Sequence, residues 1–445
     1  MNKAIKRVWG ISEVGFFMMS SMETMFLVFF LTNVALLPLG IVGIITGSTA
    51  LADAVSAILA GLVIDKVNFK SGKYRPWLLI CPPIVTVFFV LCFTKIGGDV
   101  TAGILIGIGY VLSHFIWNIC WTANRNMVSV ISKDPQDRAW LSSRIGVGSN
   151  IGKVMNSLVV PTVSSALLGI IGGVPAYTVV ALVFSLLFVV AYYIHYGITK
   201  GYDTNETTAK AITFRQIGKS LFTNHQLLAM LLHDSIRQIA FIGTGALISY
   251  YALVVLGNST LTTALAVSFS IGGVVGGFIG PNLVKKIGSN KTNLVGMLGW
   301  AVMQIVILIT PANTVAVAVV LFIGQVFFGM SYGLSVSFFS MCGTYGEYKT
   351  GESANGLVMA CCSLAIKIGV AVRGVAITAA LSFIGYVATA EVTPAIQSSI
   401  KTLFGIFPLI FIILSLVPLA FFKLNDNKVR EMEAAIAQRK SEAVQ

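Results

Sequence analysis

Repeated long apolar stretches limit what this chain can fold into more than any other feature of its sequence. About twelve such stretches follow one another with short polar breaks, and roughly 20 apolar residues are enough for one α-helix to cross a bilayer. Only 11% of the 445 residues are charged, against about 25% in a soluble domain. The sequence therefore predicts an all-α polytopic membrane protein.

Twelve spans are predicted from the apolar runs and the breakers between them. Their bounds are 10–36, 39–64, 77–95, 102–131, 140–170, 175–197, 227–256, 260–284, 293–311, 314–343, 354–386 and 399–423. Lys and Arg are concentrated in every second connection and at both ends of the chain, whereas the other connections carry only Lys95 and Lys401. Because basic connections stay cytoplasmic, we predict a multi-pass protein of the cytoplasmic (inner) membrane with both termini in the cytoplasm.

The spans fall into two sets of six. A polar stretch at 199–226 separates them, which predicts an N-terminal half at 1–198, a cytoplasmic central loop at 199–226, a C-terminal half at 227–423 and a cytoplasmic tail at 424–445. Basic, glycine-containing loops follow the second and eighth spans, at equivalent points of the two halves. Such an internal repeat is typical of secondary transporters, whose solute site lies between the repeats.

Five cations lie inside stretches that otherwise predict lipid-buried helices. A lone charge at membrane depth costs several kcal/mol, with estimates from about 2.5 to over 10, so it persists where it is paired or used. The cations are Arg125, Arg144, Arg237, Lys367 and Arg373, and the four acids at similar depth are Glu13, Glu23, Asp53 and Asp234. The predicted interior therefore carries an excess of positive charge.

Several other functions are excluded by pattern. The net charge of +13 does not indicate nucleic-acid binding, because the basic residues follow the membrane topology instead of forming one soluble face. The six cysteines match no zinc spacing and are interpreted as packing residues. The motifs H-E-x-x-H and G-x-S-x-G and a phosphate-cradling glycine loop are absent, so we expect no enzyme activity, no resident metal and no cofactor.

Three groups of motifs carry a family resemblance. They are Asp53-Ala-Val-Ser-Ala57 with Gly72-Lys-Tyr-Arg-Pro-Trp77, Arg138-Ala-Trp-Leu-Ser-Ser-Arg144, and Tyr345-Gly-Glu-Tyr-Lys-Thr-Gly351 with Lys367 eighteen residues after Lys349. Over almost the whole chain the sequence resembles the glycoside–pentoside–hexuronide:cation symporters of the major facilitator superfamily. The resemblance implies a major facilitator fold, with twelve transmembrane helices in two six-helix halves, and transport of a small solute by alternating access.

The coupling-ion site of that family is only partly matched. The resemblance places its Asp-x-x-x-Asp pair on Asp53 and Ala57, and an intervening Asn on Ser56. Two carboxylates one helical turn apart suit a hard cation, whereas Asp53 alone can take up a proton or assist a weaker Na⁺ site. We therefore expect H⁺ coupling or facilitated exchange and no strong Na⁺ coupling. Glu23, which lies deep in the first span, is a candidate replacement for the lost acid.

The family's sugar site keeps its cations. By resemblance, Arg144 and Lys367 match an Arg and a Lys of that site, and Tyr332 matches an aromatic residue. Each cation has an alternative role: Arg144 lies close enough to the inner surface to snorkel, and Lys367 can act as a counter-ion to Asp53.

The same site loses its acids. The acid of the family's first helix falls on Phe17, and that of the fourth helix falls on Asn118 or Ile119. The fourth-helix Trp falls near Ala123, with Trp121 close by. Carboxylates accept hydrogen bonds from the hydroxyl groups of neutral sugars. A site that loses these carboxylates and keeps its cations therefore favours an anionic solute.

The other buried charges leave alternatives open. Arg125, flanked by two Asn residues, is a candidate for a solute contact or for a gate. Asp234 and Arg237 are three residues apart and are predicted to form an ion pair on one helix face. His233 beside them is either a proton relay or a satisfied polar residue. Arg373, six residues after Lys367, is expected to meet a neighbouring helix or to lie in the outer half of the pathway.

These features lead to one hypothesis and its rivals. We expect a monomeric transporter in the lipid bilayer that moves an acidic glycoside, such as a hexuronide or sulfosugar. The alternatives are a cation-coupled symporter of neutral sugars and a sensor that binds the solute without moving it. The predicted solute contacts are Phe17, Asn118, Trp121, Arg125, Arg144, Tyr332 and Lys367, and the predicted coupling residues are Asp53, Ser56 and Glu23.

Overall fold

Helices account for all regular secondary structure that the computed structural model describes, in residues 3–67, 69, 71–131, 135–203, 224–351 and 355–442. Some side chains within these helices, including those of Asp53 and Ala57, lie outside the described residues. One isolated bridge joins Phe69 and Gly72 in the described part of the chain. The predicted all-α class is confirmed.

The N-terminal half contains one short helix and six long ones. They are α1 (Lys3–Val8), α2 (Ile11–Phe29) with a π-helical turn (Phe30–Val34), α3 (Leu39–Lys66), α4 (Arg75–Cys92), α5 (Asp99–Ile131), α6 (Pro135–Ile171) and α7 (Gly173–Ile198).

The C-terminal half follows the same plan and adds a polar tail helix. Its elements are α8 (His225–Tyr250) with a π-helical turn (Tyr251–Val255), a 3-10 turn (Ser259–Leu261), α9 (Thr262–Ile287), α10 (Ser289–Ile309), α11 (Thr314–Tyr332), α12 (Ser335–Thr350), α13 (Asn355–Phe383), α14 (Pro394–Ala420) and α15 (Asp426–Glu442). In both halves the first long helix therefore ends in a π-helical turn.

The helices reproduce the predicted spans. Eleven helical stretches in the described residues are long and apolar enough to cross a membrane, and α3 contributes a shorter apolar stretch, Leu39–Ser48. The predicted span 314–343 is interrupted near its inner end, because α11 ends at Tyr332 and α12 begins at Ser335. The break is small, since the N–H of Leu334 still donates to the carbonyl of Ser331 at 3.1 Å.

The same kind of helix cap occurs once in each half. Oδ2 of Asp203, which follows α7, accepts the backbone N–H groups of Tyr74 and Arg75 at 2.7 Å each, where α4 begins. Asp426, which follows α14, accepts the backbone N–H of Ser289 at 2.9 Å and its hydroxyl at 2.8 Å, where α10 begins. A carboxylate satisfies the free N–H groups and the positive dipole of a helix start. In each half, an acid after the sixth span caps the third.

Replacing Asp426 by Ala is expected to lower the free energy of unfolding by about 1 kcal/mol, because the start of α10 loses its cap. The measurement is the thermal unfolding midpoint of the purified protein in detergent. Glu433→Ala, an exposed acid on the same tail helix, is the matched control. Equal midpoints for the two variants would contradict a capping role.

The chain divides into two compact units that cut across chain order. Unit 1 comprises Met1–Ala211, Ala252–Val267 and Gly374–Ile396, and unit 2 comprises Ile212–Tyr251, Ser268–Arg373 and Gln397–Gln445. Within unit 1, α2 packs against α6 and α7, and α5 packs against α3 and α4. The boundaries at 198, 226 and 423 stay a prediction.

Two residues that follow the N-terminal half in the chain, Thr263 and Tyr386, contact helices of that half within unit 1. The hydroxyl of Tyr386 donates to Oδ1 of Asn33, and Oγ1 of Thr263 lies 3.1 Å from Oγ1 of Thr162. The outer ends of the first and fifth spans are thus tied within this unit.

Glycines let α6 approach α2 closely. A Cβ atom at Gly148 would lie 2.3 Å from the carbonyl oxygen of Gly10, and one at Gly152 would lie 2.5 Å from that of Val14. Both distances are far inside van der Waals contact, so larger side chains do not fit. This approach brings the polar residues of α6 against the first turn of α2, where the candidate site lies.

Candidate functional site

A buried carboxylate, Glu13 on α2, is the centre of a polar cluster in unit 1. Its side chain is fully buried. Oε1 accepts a hydrogen bond from Nδ2 of Asn124 at 3.1 Å, and Oε2 accepts from Oγ of Ser149 at 3.2 Å and from a guanidinium nitrogen of Arg125 at 3.4 Å. The α5 and α6 helices thus supply the partners that a buried carboxylate requires.

The cluster continues through a neighbouring hydroxyl to α7. Oγ of Ser12 accepts from Nδ2 of Asn124 at 3.2 Å and lies 2.7 Å from Nδ1 of His195. The indole of Trp9 packs edge-on against the His195 ring at 4.3 Å and donates to the carbonyl of Leu141 at 3.0 Å. Four helices are therefore joined around Glu13 by polar contacts.

Arg125 is the member of the cluster that reaches open space. Its side chain is 41% exposed, although the carboxylate that it pairs with is fully buried. The guanidinium carbon lies 4.2 Å from the centroid of the Trp121 ring, a cation–π contact. A guanidinium has five N–H donors, and Glu13 takes one of them. The exposed edge of Arg125 is therefore able to bind a further acceptor.

A second cation lies beside the first. Nζ of Lys153 on α6 lies 5.0 Å from the ring centroid of Phe17, and its charge interacts with those of Arg125 and Glu13. The buried ring of Phe16 joins the two aromatic contacts, at 5.4 Å from Phe17 and 6.1 Å from Trp121. We call the set of Phe17, Trp121, Arg125 and Lys153 the basic–aromatic patch.

The structure brings one predicted solute contact to a predicted coupling residue. Nδ2 of Asn118 on α5 donates to Oγ of Ser56 on α3 at 3.1 Å, and both side chains are buried. The side chains of Asp53 and Ala57 on the same helix lie outside the described residues. The amide therefore lies at the predicted coupling site, next to a hydroxyl group.

Glu23, the predicted substitute acid, lies deep in unit 1 opposite a histidine. Oε2 of Glu23 lies 3.9 Å from Nε2 of His114 on α5. Each residue is 1% exposed. The α2 and α5 helices thus carry two acid–base pairs, Glu13–Arg125 and Glu23–His114, at different depths.

Unit 2 contains the predicted ion pair. A guanidinium nitrogen of Arg237 donates to Oδ1 of Asp234, and both residues are almost fully buried. The remaining donors of Arg237 reach Oγ of Ser331 at 2.7 Å and Oγ of Ser335 at 2.5 Å. The predicted ion pair is confirmed, and His233 beside it lies 2.8 Å from the carbonyl of Ser415.

The remaining predicted solute contacts are Arg144, Tyr332 and Lys367. Tyr332 stacks on Phe328 with ring centroids 5.4 Å apart, and the guanidinium carbon of Arg237 lies 5.6 Å from the centre of the Tyr332 ring. Arg144 is exposed and Lys367 is half-buried. Their roles as solute contacts stay predictions.

Three titratable residues of these clusters were not predicted from the sequence: His114, Lys153 and His195. A signal for two of them was present. Ser149, Lys153 and Asn156 recur at the spacing of one helix face on α6, and His114 lies one turn before Asn118 on α5. For His195 the sequence offers no comparable pattern.

The described residues contain no group of three or more His, Cys, Asp or Glu side chains able to hold a metal ion. All six cysteines are free, and five of them are buried. This agrees with their interpretation as packing residues.

Comparison with known proteins places the chain among carriers. Residues 8–426 match the family model described as MFS/sugar transport protein. The chain is 26% identical to the glucuronide carrier protein homolog of Escherichia coli (strain K12), over 94% of this chain and 92% of the relative. It is 27% identical to the putative sulfoquinovose importer of the same organism, over 99% and 95%. It is also 25% identical to the isoprimeverose transporter of Lactiplantibacillus pentosus, over 91% and 85%.

Solved structures agree on the fold. The nucleoside transporter NupG superposes with a TM-score of 0.65 at 12% identity, covering 95% of this chain and 100% of that one. A bacterial homolog of the human lysosomal transporter Spinster superposes with a TM-score of 0.67 at 13% identity, covering 96% and 97%. At such identities the likeness concerns the fold alone, and it confirms the predicted major facilitator architecture.

Proposed function

The chain belongs to the MFS/sugar transport protein family, and from that premise we propose that it moves a small glycoside bearing an acidic group by alternating access. It is a multi-pass membrane transporter of the sugar type and not an enzyme. The proposal adds the charge of the solute and the coupling ion. It also holds that the protein works as a monomer in the cytoplasmic membrane, with both termini in the cytoplasm.

The observation that carries the proposal is the charge of the basic–aromatic patch. Arg125 and Lys153 bring two positive charges, and among the described side chains around them Glu13 brings one negative charge. Because an uncompensated charge at membrane depth is costly, binding of an anionic group there is favourable. A guanidinium edge also matches the paired oxygens of a carboxylate or sulfonate.

The aromatic members of the patch suit the rest of such a solute. Phe17 and Trp121 lie beside the two cations, and ligand sites of this kind combine apolar walls with a few orienting polar groups. A sugar ring can pack on these faces while its acidic group reaches Arg125. The names of two relatives support this choice, because a glucuronide carries a carboxylate and sulfoquinovose a sulfonate.

The first test is a panel of glycosides. Acidic glycosides are expected to raise the thermal unfolding midpoint of the purified protein. They are also expected to exchange across the membrane of proteoliposomes that contain it, while neutral galactosides do neither. Transport of neutral galactosides without any transport of acidic ones would refute the proposed solute. Stabilisation by acidic glycosides without flux would identify a sensor.

Sodium is expected to stimulate uptake by less than about twofold. The family's second carboxylate is replaced by Ala57, and Na⁺ bound by a single carboxylate lacks the several oxygen ligands that a hard cation requires. The measurement is initial uptake into proteoliposomes in sodium medium and in choline medium at equal pH. A stimulation of about tenfold, worth about 1.4 kcal/mol, would contradict the proposal.

A second candidate function is cation-coupled symport of a neutral sugar. The isoprimeverose transporter among the relatives favours it. The panel separates the two, because a neutral-sugar symporter requires acceptors for hydroxyl groups and gains nothing from the excess positive charge of the patch.

A further inference from the structure

Glu23 and His114 form a buried acid–base pair apart from the basic–aromatic patch. Glu23 lies ten residues after Glu13 on α2, a distance of about 15 Å along a helix. Oε2 of Glu23 and Nε2 of His114 are 3.9 Å apart, and each residue is 1% exposed. Proximity and burial make these two groups a candidate site for a proton.

The histidine ring is held in one orientation. Nδ1 of His114 lies 3.0 Å from the carbonyl oxygen of Tyr110, and because a carbonyl oxygen only accepts, Nδ1 carries a hydrogen. The ring stacks on Tyr110 at 3.8 Å and packs against Trp117 at 3.9 Å. Nε2 is therefore the nitrogen that faces Glu23, and in a neutral ring it carries a lone pair.

We propose that Glu23 and His114 together bind the proton that the transporter couples to its solute. A carboxylate and a neutral imidazole take up one proton, which is shared as an acid hydrogen-bonded to Nε2 or as a carboxylate–imidazolium pair. The charge of the pair changes from −1 to 0. The pair takes up this proton when it is open to one side of the membrane and releases it when it is open to the other.

Two neutral groups lie near the pair among the described residues. The Cys92 thiol on α4 interacts electrostatically with Glu23, and the Ser113 hydroxyl on α5 hydrogen-bonds with that thiol. Among the described ionisable side chains of α6 and α7, Lys153 and Tyr192 interact with Glu13, and His195 lies against Ser12. Asp53 belongs to α3, which packs against α5, and its side chain lies outside the described residues.

This proton site adds detail to the proposed function, and it rests on the H⁺ coupling proposed there. If a solute with one negative charge travels with one proton, the step moves no net charge, and a pH gradient alone drives it. An imposed difference of about one pH unit then supports about tenfold accumulation.

The test compares two kinds of flux in proteoliposomes. Glu23→Gln and His114→Gln are expected to retain exchange of an acidic glycoside across the proteoliposome membrane, because exchange needs no net proton movement. Both variants are expected to lose the accumulation of that glycoside that a pH gradient drives. His225→Gln, an exposed histidine at the start of α8, is the matched control and should keep both. Wild-type accumulation in both pair variants would overturn the proposal.

A second measurement needs no variant. Dicyclohexylcarbodiimide modifies protonated carboxyl groups in apolar surroundings, and mass spectrometry locates the product. In the wild-type protein, Glu23 is expected to be modified in acidic buffer and progressively less as the buffer becomes alkaline, while Glu13 stays unmodified. Absence of Glu23 modification at every pH would equally overturn the proton site. If no acidic glycoside is exchanged, the proposed solute fails, yet this labelling still decides the site.

Discussion

Replacing Arg125 by Gln is expected to weaken binding of an acidic glycoside by roughly 10- to 100-fold, because a hydrogen bond to a charged partner contributes about 1.5–3 kcal/mol. The lower end of this range is favoured, since the Arg125 side chain is 41% exposed and solvent screens it. Arg125→Lys should recover part of the affinity, because it keeps the charge and loses the forked geometry. The measurement is the dissociation constant of a glucuronide by titration of the purified protein.

The neighbouring cation supplies the sharpest control for this prediction. Lys153→Gln should also weaken binding, and a double-mutant cycle with Arg125→Gln should show coupling, since both cations would contact one anionic group. Arg430→Gln, an exposed cation of the tail helix, should leave binding unchanged. If Arg125→Gln weakened binding of a neutral glycoside as much as that of an acidic one, the anion-binding role would be wrong.

Replacing Asp234 by Ala is expected to lower the free energy of unfolding by about 3–5 kcal/mol, because it leaves the Arg237 charge buried without its carboxylate. Both partners are almost fully buried, so water cannot replace the lost carboxylate as a partner of the Arg237 guanidinium. The remaining contacts of Arg237 are to the neutral hydroxyls of Ser331 and Ser335. Chemical unfolding of the purified protein in detergent measures the loss.

The paired replacement distinguishes a structural role from a functional one. Exchanging a whole buried ion pair for apolar residues of similar volume is often neutral or stabilising, so Asp234→Leu combined with Arg237→Met should regain most of the lost stability. Solute exchange should then also return. A double variant that is stable but inactive would show that the pair takes part in transport itself.

Helix periodicity and charge explain why much of the fold was predictable. Apolar runs of membrane-spanning length predicted the spans because a bilayer leaves the backbone few other choices. The pair Asp234–Arg237 was predictable too, since residues three apart on a helix share a face. Despite the interruption between α11 and α12, the stretch Thr314–Thr350 is long and apolar enough to cross a membrane.

The composition of the site was only partly predictable. Phe17, Trp121 and Arg125 were identified from sequence, and the structure brings them into one patch. Lys153 was missed because its significance comes from the crossing of α6 over α2, through glycines whose packing the sequence does not reveal. His114 was missed because its partner lies on another helix.

By itself the sequence determined the all-helical membrane architecture, the two-half repeat and the presence of charged residues within the spans, since each follows from hydrophobicity and charge along one dimension. Only the tertiary structure decided which charges meet. It paired Glu13 with Arg125 and Glu23 with His114, and it placed Lys153 beside Phe17. The physical reason is that a helix period states which residues share a face, while the packing of helices against one another decides which faces come together.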